Sequence, residues 1–304
     1  MIKTENLTKE YNGNCVVDHL NMEIKEGEVF GFLGGPNGGA GKTTTILMLT
    51  GMIEPTAGIC LIDGIDVARN PLKAKEVIGY LPEDVGFYGN MTGKQNLDYL
   101  QIYGISPDGR EERTDYLLEL VRLNGVTQTV GGYSRGMNQR LGLAQALLND
   151  PKVVILDEPT ANLDPEGVAQ FRKIIREISD EGKTILICSH ILSEIKQVCR
   201  TLGILSQGKM VAQGTTEEVE EQLREQSNIP MKIIIESIKP PLPELSHPDI
   251  LEIHKTENRA EISVNRDIRR ELSGQLREVS DGIIEMHLEK PGLEELFLQV
   301  YRRE

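Results

Sequence analysis

The sequence predicts an α/β fold built around a parallel sheet, followed by a smaller α+β unit. Short apolar runs at 153–156 and 184–188 alternate with segments of helical periodicity, as expected when helices cover a parallel sheet. A glycine-rich loop joins another apolar run, 29–33, to a predicted helix. The composition changes after Gly214, where an acidic helical pattern precedes short strand candidates. These three observations define the predicted fold class.

Length and charge narrow the class of protein. The chain has 304 residues and a formal net charge of −14, and this length suggests two domains, or one domain with an appendage. An acidic balance disfavours nucleic-acid binding, which needs clustered Lys and Arg. No apolar run approaches the roughly 18 residues of a membrane helix, and the first residues do not resemble a signal peptide. The cysteines are scattered without metal or disulfide spacing, so we expect a reducing cytoplasm.

The first two thirds of the chain contain the predicted parallel core. Weak alternation at 16–24 indicates strands before the buried run 29–33, and residues 92–149 carry largely helical spacing. The remaining candidates follow in order: a helix at 42–52, a strand at 153–156, a helix at 168–179, and strands at 184–188 and 202–205. The glycine-rich motif is not repeated, so the sequence predicts one such core per chain.

The last third predicts a small α+β appendage at 218–304. A stiff, extended linker is predicted at 239–243, where three of five residues are proline. The other candidates are an acidic helix at 215–226, strands at 231–235, 250–253, 260–264 and 283–286, and helices at 268–279 and 293–300.

The strongest local feature is a phosphate-binding loop between the strand 29–33 and the helix that follows it. Glycines let backbone N–H groups converge on anionic oxygens, and the helix N-terminus adds a favourable dipole. Lys42 is predicted to reach the β- and γ-phosphates, and the Thr43 hydroxyl to hold Mg²⁺. The predicted nucleotide-binding residues of this loop are Gly35, Pro36, Asn37, Gly38, Gly39, Ala40, Gly41, Lys42, Thr43 and Thr44.

The loop is one residue longer than the phosphate-loop pattern. That pattern has four residues between its first glycine and Gly-Lys-Ser/Thr, whereas five separate Gly35 from Gly41. One residue moves the chain by up to about 3.3–3.6 Å, more than a hydrogen bond tolerates. Either the extra glycine loops outward and the binding nest survives, or phosphate affinity falls.

Two carboxylates end the next buried strand. Asp157 and Glu158 follow the apolar run 153–156 directly. We predict that Asp157 binds Mg²⁺, directly or through water, and that Glu158 orients or deprotonates the attacking water. The alternative is that the two carboxylates have no functional role and the strand simply runs into a solvated acidic turn.

Several segments in order resemble the nucleotide-binding subunits of ABC transporters, in the ABC-2-type export subfamily. Residues 133–140, YSRGMNQR, resemble the family signature, and residues 159–164 follow the carboxylates as the D-loop does. His190 ends the next strand as the switch histidine does, and Tyr11 occupies the place of the aromatic that stacks on adenine. The resemblance covers residues 1 to about 217, and 291–298 resemble the closing helix of many such ATPases. Relatives usually have one glycine where this sequence has the pairs 34/35 and 38/39.

The resemblance implies a head-to-tail dimer. The signature of one subunit closes over ATP held by the phosphate loop of the other, so Ser134 and Gly136 would donate hydrogen bonds to the γ-phosphate across the dimer. His190 would contact that phosphate and position the water used by Glu158. Glu83 replaces the usual Gln after strand 79–82, and its carboxylate can still ligate Mg²⁺ with Thr43 and Asp157.

The resemblance also implies cofactors, partners and location. The cofactors would be ATP and Mg²⁺, and the partners a second copy in a homodimer and a separate membrane permease contacted by residues 84–96, with no nucleic acid. The protein would be cytoplasmic and peripheral on the inner face of the cell membrane through that permease. The permease would select the substrate, and export rests on the likeness to export ATPases alone.

These features together predict a P-loop NTPase core with an antiparallel β subdomain near the N-terminus. A helical signature subdomain at about 84–150 would be inserted between the strand ending at Glu83 and the strand ending at Asp157. The predicted domains are an ABC ATPase domain at 1–217 and an accessory α+β domain at 218–304.

Two other functions compete with an exporter ATPase. A binding or assembly protein would have the same fold, with nucleotide hydrolysis impaired by the extra glycines. A soluble ABC ATPase acting on DNA or ribosomes is disfavoured by the acidic charge and the single core. The roughly ninety residues between Lys42 and Ser134 also cannot hold a long coiled coil.

Overall fold

The computed structural model describes residues 1–35, 39–101, 109–238, 242–276 and 282–302. Part of the predicted linker 239–243 and the end of the predicted helix 268–279 lie outside the described residues, as do Pro36, Asn37 and Gly38. The chain divides into two compact units, Met1–Val219 and Glu220–Glu304. Among the described helices, none combines the length and apolarity needed to cross a membrane.

The elements up to residue 215 combine strands and helices, with alternation in the parallel core as the sequence predicts. The strands are β1 (Ile2–Tyr11), β2 (Asn14–Ile24), β3 (Val29–Gly34), β4 (Ala57–Ile62), β5 (Ile65–Asp66), β6 (Ile78–Leu81), β7 (Val153–Asp157), β8 (Thr184–Ser189), β9 (Thr201–Ser206) and β10 (Lys209–Thr215). The helices are α1 (Lys42–Leu49), α2 (Pro71–Val77), α3 (Gly93–Gln101), α4 (Arg110–Leu120), α5 (Arg135–Ala146), α6 (Pro165–Asp180) and α7 (Leu192–Ile195). The helix predicted to reach residue 52 ends at Leu49, because Gly51 adopts a left-handed backbone conformation with φ +63°.

The central sheet confirms the predicted parallel core. Over the described residues its strand order is β10-β9-β3-β8-β7-β6, with β9, β3, β8, β7 and β6 parallel and β10 antiparallel to β9. Strands β7 and β8 are buried along their whole length, which accounts for their continuous apolar runs. All parallel strands therefore end at one edge of the sheet, where loops from different parts of the chain meet.

The predicted antiparallel region near the N-terminus is also present. A second sheet has the order β2-β1-β4-β5, with antiparallel pairing throughout. Its inner side packs on the central sheet through a shared apolar core that includes Leu20, Phe32 and Ile155. This packing places the β1–β2 hairpin on the same unit as the glycine-rich loop.

Helices α3, α4 and α5 form the insertion predicted between β6 and β7. Arg140 on α5 holds the C-terminal end of α4, because its Nη1 donates to the carbonyl oxygens of Val121 and Arg122 at 2.8 and 2.9 Å. Leu117 on α4 and Leu141 on α5 are fully buried. Between α4 and α5 the chain is mostly irregular, and this stretch leads into the Tyr133–Ser134 segment.

The residues from 216 onward contain short strands and helices. The elements are α8 (Thr216–Gln226), β11 (Met231–Ser237), β12 (Ile250–Lys255), β13 (Arg259–Val264), α9 (Arg269–Gln275), β14 (Ile283–Glu289) and α10 (Leu293–Arg302). The described strands form an antiparallel sheet of order β12-β13-β11-β14. Alternate residues Ile233, Ile235 and Ile262 face a core shared with Leu272 of α9.

Candidate functional site

The carboxyl ends of β3, β7 and β8 surround a cavity of about 410 Å³. Ligands of open α/β sheets bind outside this edge, where the strand ends bring separate loops together. The lining contains most of the residues that the sequence singles out, together with one that it does not. The lining residues are Val16, Gly35, Gly39, Ala40, Gly41, Lys42, Thr43, Thr44, Glu83, Asp157, Glu158 and His190.

The end of the glycine-rich loop has the geometry of an anion-binding helix start. Gly41 caps α1 in a left-handed conformation with φ +91°, and its carbonyl accepts from the Thr45 N–H at 2.9 Å. A side chain there would meet the Val16 carbonyl oxygen, which lies 2.7 Å from where a Cβ would be. The first turn of α1 lines the cavity through Lys42, Thr43 and Thr44, and a helix start leaves backbone N–H groups free to bind an anion.

The Lys42 side chain lies between the end of β3 and Glu158. Its Nζ donates to the Gly34 carbonyl oxygen at 3.1 Å and lies 3.5 Å from Glu158 Oε1. Gly34 itself ends β3, paired with Leu205, and a Cβ there would lie 2.8 Å from Lys42 Cδ. Gly34 therefore belongs to the strand, and Gly35 is the first loop residue after it.

The turn between β9 and β10 supports the glycine-rich loop, and sequence reasoning did not predict this contact. Gln207 and Gly208 both have positive φ, +47° and +77°, which is typical of a tight hairpin turn. The Gly208 N–H donates to the Ala40 carbonyl oxygen at 3.2 Å, and its own carbonyl accepts from the Asp18 N–H at 2.9 Å. The Gln-Gly pair between two strands is a signal for the turn, but nothing in the sequence shows that this turn touches the loop.

Carboxylates outnumber cations in the cavity. Asp157 is 4% exposed. Its burial, followed by repulsion from Glu158 and Glu83, raises its pKa to about 6, although Lys42 acts in the opposite direction. Glu83 lies on the exposed rim after β6 and completes this group of three acids. The local charge is therefore negative enough to favour a bound cation.

Glu158 and His190 are brought together at the ends of β7 and β8. His190 Nδ1 lies 2.9 Å from Glu158 Oε2, within hydrogen-bond distance. The Glu158 backbone is held in the left-handed region at φ +47°, an uncommon conformation that is often found at functional sites. Its N–H donates to the Cys188 carbonyl oxygen at 3.0 Å, so the sheet ladder fixes this strained residue in place.

The residues present fit a magnesium ion that is shared with a nucleotide. Asp157, Glu83 and Thr43 line one cavity and offer two carboxylates and a hydroxyl, the oxygen ligands that Mg²⁺ prefers. Among the described residues, no group of three or more His, Cys, Asp or Glu side chains is placed to hold a metal alone. In nucleotide sites, Mg²⁺ takes its other ligands from phosphates and water.

Tyr11 is not among the residues that line this cavity. It ends β1, paired with Asn14 at the hairpin tip, and 44% of its surface is exposed. Lys9 Nζ lies 5.1 Å from the centre of its ring. Val16 takes the position next to the loop instead, so stacking of Tyr11 on adenine stays a prediction.

Ser134 and Gly136 line a different cavity of about 370 Å³. Ser134 caps α5, its hydroxyl accepting from the Met137 N–H at 3.2 Å, and Asp164 caps α6, its carboxylate accepting from the Gly167 N–H at 2.7 Å. Two helix N-termini therefore meet beside Arg140. Within the described residues, the two cavities share no lining residue, so one chain does not bring the signature to its own phosphate loop.

Comparisons with known proteins agree on one family. A family model described as ABC transporter matches residues 17–161. The bacitracin transport ATP-binding protein of Bacillus licheniformis is 45% identical over 214 residues, which is 69% of this chain and 68% of that protein. The linearmycin resistance ATP-binding protein of Bacillus subtilis is 29% identical over 100% of this chain and 99% of its own.

Solved structures share the fold. CbiO1 from Clostridium perfringens, part of the ABC transporter complex cbiONQ, has a TM-score of 0.66 at 29% identity and covers 75% of this chain and 94% of its own. A dimeric ATP-binding cassette in a post-hydrolysis state, bound to ADP and phosphate, has a TM-score of 0.63 at 24% identity. It covers 71% of this chain and 98% of its own.

Proposed function

Because this chain belongs to the ATP-binding subunits of ABC transporters, we propose that its sheet-edge cavity binds ATP and that Glu158 directs ATP hydrolysis. The observation that carries the assignment of residues is the contact of Glu158 with both Lys42, at 3.5 Å, and His190, at 2.9 Å. A carboxylate between a phosphate-loop lysine and a histidine is placed to act where the γ-phosphate would lie.

The residues of the cavity have different roles in the proposed hydrolysis of ATP. Lys42 and the N–H groups at the start of α1 bind the β- and γ-phosphates, and Lys42 then leaves Glu158. Glu158 accepts a proton from the water that attacks the γ-phosphorus, while the bond to the bridging oxygen breaks and ADP leaves. His190 holds Glu158 in position through their contact. Mg²⁺, bound through Thr43, Asp157 and Glu83, would neutralise charge on the phosphates.

A homodimer supplies the remaining donors. Ser134 and Gly136 lie at a helix N-terminus in a cavity separate from the phosphate loop, so a second copy must bring them to the γ-phosphate. The arrangement suits a head-to-tail pair in which each copy contributes one cavity to each ATP. The dimeric cassette with ADP and phosphate is consistent with this proposal through its shared fold.

The loop is longer than usual, but its geometry next to α1 favours an active enzyme over an inactive assembly protein. Gly39, with φ +78°, and Gly41 precede a regular α1, and the Gly208 N–H holds Ala40. The described end of the loop therefore leads into α1 with the geometry that supports phosphate binding. Impaired hydrolysis remains the competing proposal, and it predicts that a shorter loop is more active.

Transport itself is the further part of the proposal. We assign the chain to an exporter because the bacitracin and linearmycin relatives are named for transport of, and resistance to, those compounds. A separate permease would dock on residues 84–96, where Tyr88 is half exposed and stacks edge-to-face on Tyr99 at 5.2 Å. That contact would place the chain on the inner face of the membrane, and residues 218–304 would act as an accessory domain.

ATP binding and hydrolysis by the purified chain test the proposal. With Mg²⁺ present, we expect hydrolysis by the native chain and similar rates in a variant that lacks Gly39. Tight Mg²⁺-dependent binding without any turnover in either chain would overturn the enzymatic part. Activity restored only by the deletion would show that the loop disables the native chain.

A further inference from the structure

We infer that Gln139 is a positioning residue that ties the signature helix α5 to Glu83. The inference rests on the proposed function, because it concerns the carboxylate that would face Mg²⁺ in the nucleotide cavity. Gln139 itself does not line that cavity. It would act through the backbone of Glu83, to which its side chain is directly bonded.

The side-chain amide of Gln139 is buried for this contact. The residue is 2% exposed, and its Nε2 donates to the Glu83 carbonyl oxygen at 2.9 Å. Its Oε1 is buried without a hydrogen-bond partner among the described residues. A buried amide with one unmet acceptor destabilises the fold relative to an apolar side chain of similar size. Packing alone therefore gives no reason for glutamine at this position.

Gly142 lies about one turn after Gln139 on α5, and there the helix packs closely against Leu81 and Val85, two residues before and after Glu83. A Cβ at Gly142 would lie 2.6 Å from Leu81 Cδ1 and 2.9 Å from Val85 Cγ1. Gln139 and Gly142 are spaced i and i+3, so they share one face of the helix. The segment that carries Glu83 is thus held to α5 by a close backbone approach and by one directed hydrogen bond.

This link joins two parts of the proposed ATP site. Ser134 and Gly136 lie at the N-terminal end of α5, and Glu83 lies on the rim of the nucleotide cavity beside Asp157. A shift of α5 would therefore move the Glu83 carboxylate. Without the amide, the Glu83 segment would keep its packing but lose the bond that sets its direction.

The test compares Gln139→Met with Gln145→Met in the full-length chain. Both variants remove a similar amide from α5, and Gln145 also has a buried, unpartnered Oε1, but it has no bond to Glu83. The readout is the factor by which Mg²⁺ tightens ATP binding, measured by calorimetry with and without Mg²⁺. We expect Gln139→Met to reduce this factor about three- to tenfold, as expected for one hydrogen bond, with ATP binding in EDTA unchanged. Gln145→Met should behave as the native chain.

A double variant separates positioning from general damage. In a Glu83→Ala background the carboxylate is gone, so adding Gln139→Met should change the Mg²⁺ factor no further. An additive effect, or equal effects of Gln139→Met and Gln145→Met, would overturn the inference. If Gln139→Met unfolds in a thermal melt, Gln139→Asn, which is too short to reach Glu83, replaces it. If the native chain binds no ATP, the proposed function fails instead, and the two failures are distinguishable.

Discussion

The two cavities of the ATPase unit are of similar size but are lined by different sets of charged residues. The cavity at the phosphate loop gathers Glu83, Asp157 and Glu158 around one lysine, and its buried aspartate has a raised pKa. The cavity at the signature instead gathers two capped helix N-termini, with Arg135 and Arg140 beside Asp164 and Glu166. Acidic residues therefore outnumber basic ones in the first cavity, whereas the two kinds are balanced in the second. In the proposed dimer, the phosphate-loop cavity of one copy would meet the helix N-termini of the other.

Glu158→Gln should produce the largest effect, because it removes the proposed base from the phosphate-loop cavity. We expect turnover to fall about 10²- to 10³-fold, since proton transfer contributes this much to catalysis. ATP affinity should stay within a few-fold, because Lys42 is then freed from its ion pair. Steady-state hydrolysis and ATP titration measure the two quantities. Glu112→Gln, at an exposed position on α4, is the control. Unchanged turnover in Glu158→Gln would remove Glu158 from the mechanism.

Ser134→Asp should affect the other cavity next most strongly. Aspartate caps helices as well as serine does, so α5 should keep its stability. Its charge would face the γ-phosphate across the dimer, so we expect ATP-dependent dimerisation and hydrolysis to fall about 10- to 100-fold. Light scattering with ATP measures the association. Ser134→Asn keeps both the cap and the neutrality and should change little. Because both replacements keep the cap, equal losses with Asp and Asn would argue that the serine hydroxyl itself, and not the added charge, matters.

Carboxylates in the two cavities should have opposite effects on stability. The pKa of Asp157 is raised to about 6, so the folded state binds more protons than the unfolded state between about pH 4 and pH 6. The free energy of unfolding should therefore fall as the pH rises through this window. At pH 7, Asp157→Asn should stabilise the nucleotide-free protein by about 1–2 kcal/mol, and at pH 4 it should have little effect.

Asp164→Ala supplies the opposite case. It removes the cap of α6 and should destabilise the unit by about 1 kcal/mol at pH 7. Urea unfolding in EDTA measures both variants. Destabilisation by Asp157→Asn at pH 7 would contradict the charge crowding inferred for the phosphate-loop cavity.

Tyr11→Ala should have the smallest effect. The side chain does not line the cavity and 44% of its surface is exposed. We expect the KM for ATP to rise about two- to threefold, with Tyr11→Phe near the native value, because stacking needs only the ring. A tenfold rise would show that the β1–β2 hairpin moves onto the adenine when ATP binds.

The central sheet could be predicted because its buried parallel strands have continuous apolar runs, as at residues 153–156. The loop residues could be predicted because the glycine pattern fixes their local chemistry. Gln139 and Gly208 could not, because their roles depend on contacts with Glu83 and Ala40, far away in sequence. Sequence reasoning also could not choose between the two glycines at 34/35, since only the pairing of Gly34 with Leu205 shows which one belongs to the strand.

The contact between Gly208 and Ala40 also bears on when the phosphate-binding loop is stabilised during synthesis. Strand β3 pairs with β8 and β9, and the turn after β9 donates a hydrogen bond to the loop, so these contacts come from segments made much later during synthesis. Such long-range contacts form late, because the intervening chain must first be closed into a large loop. A nascent chain that has not yet emerged as far as Lys209 would therefore lack a braced loop. Nucleotide would then bind only after the whole ATPase unit has left the ribosome.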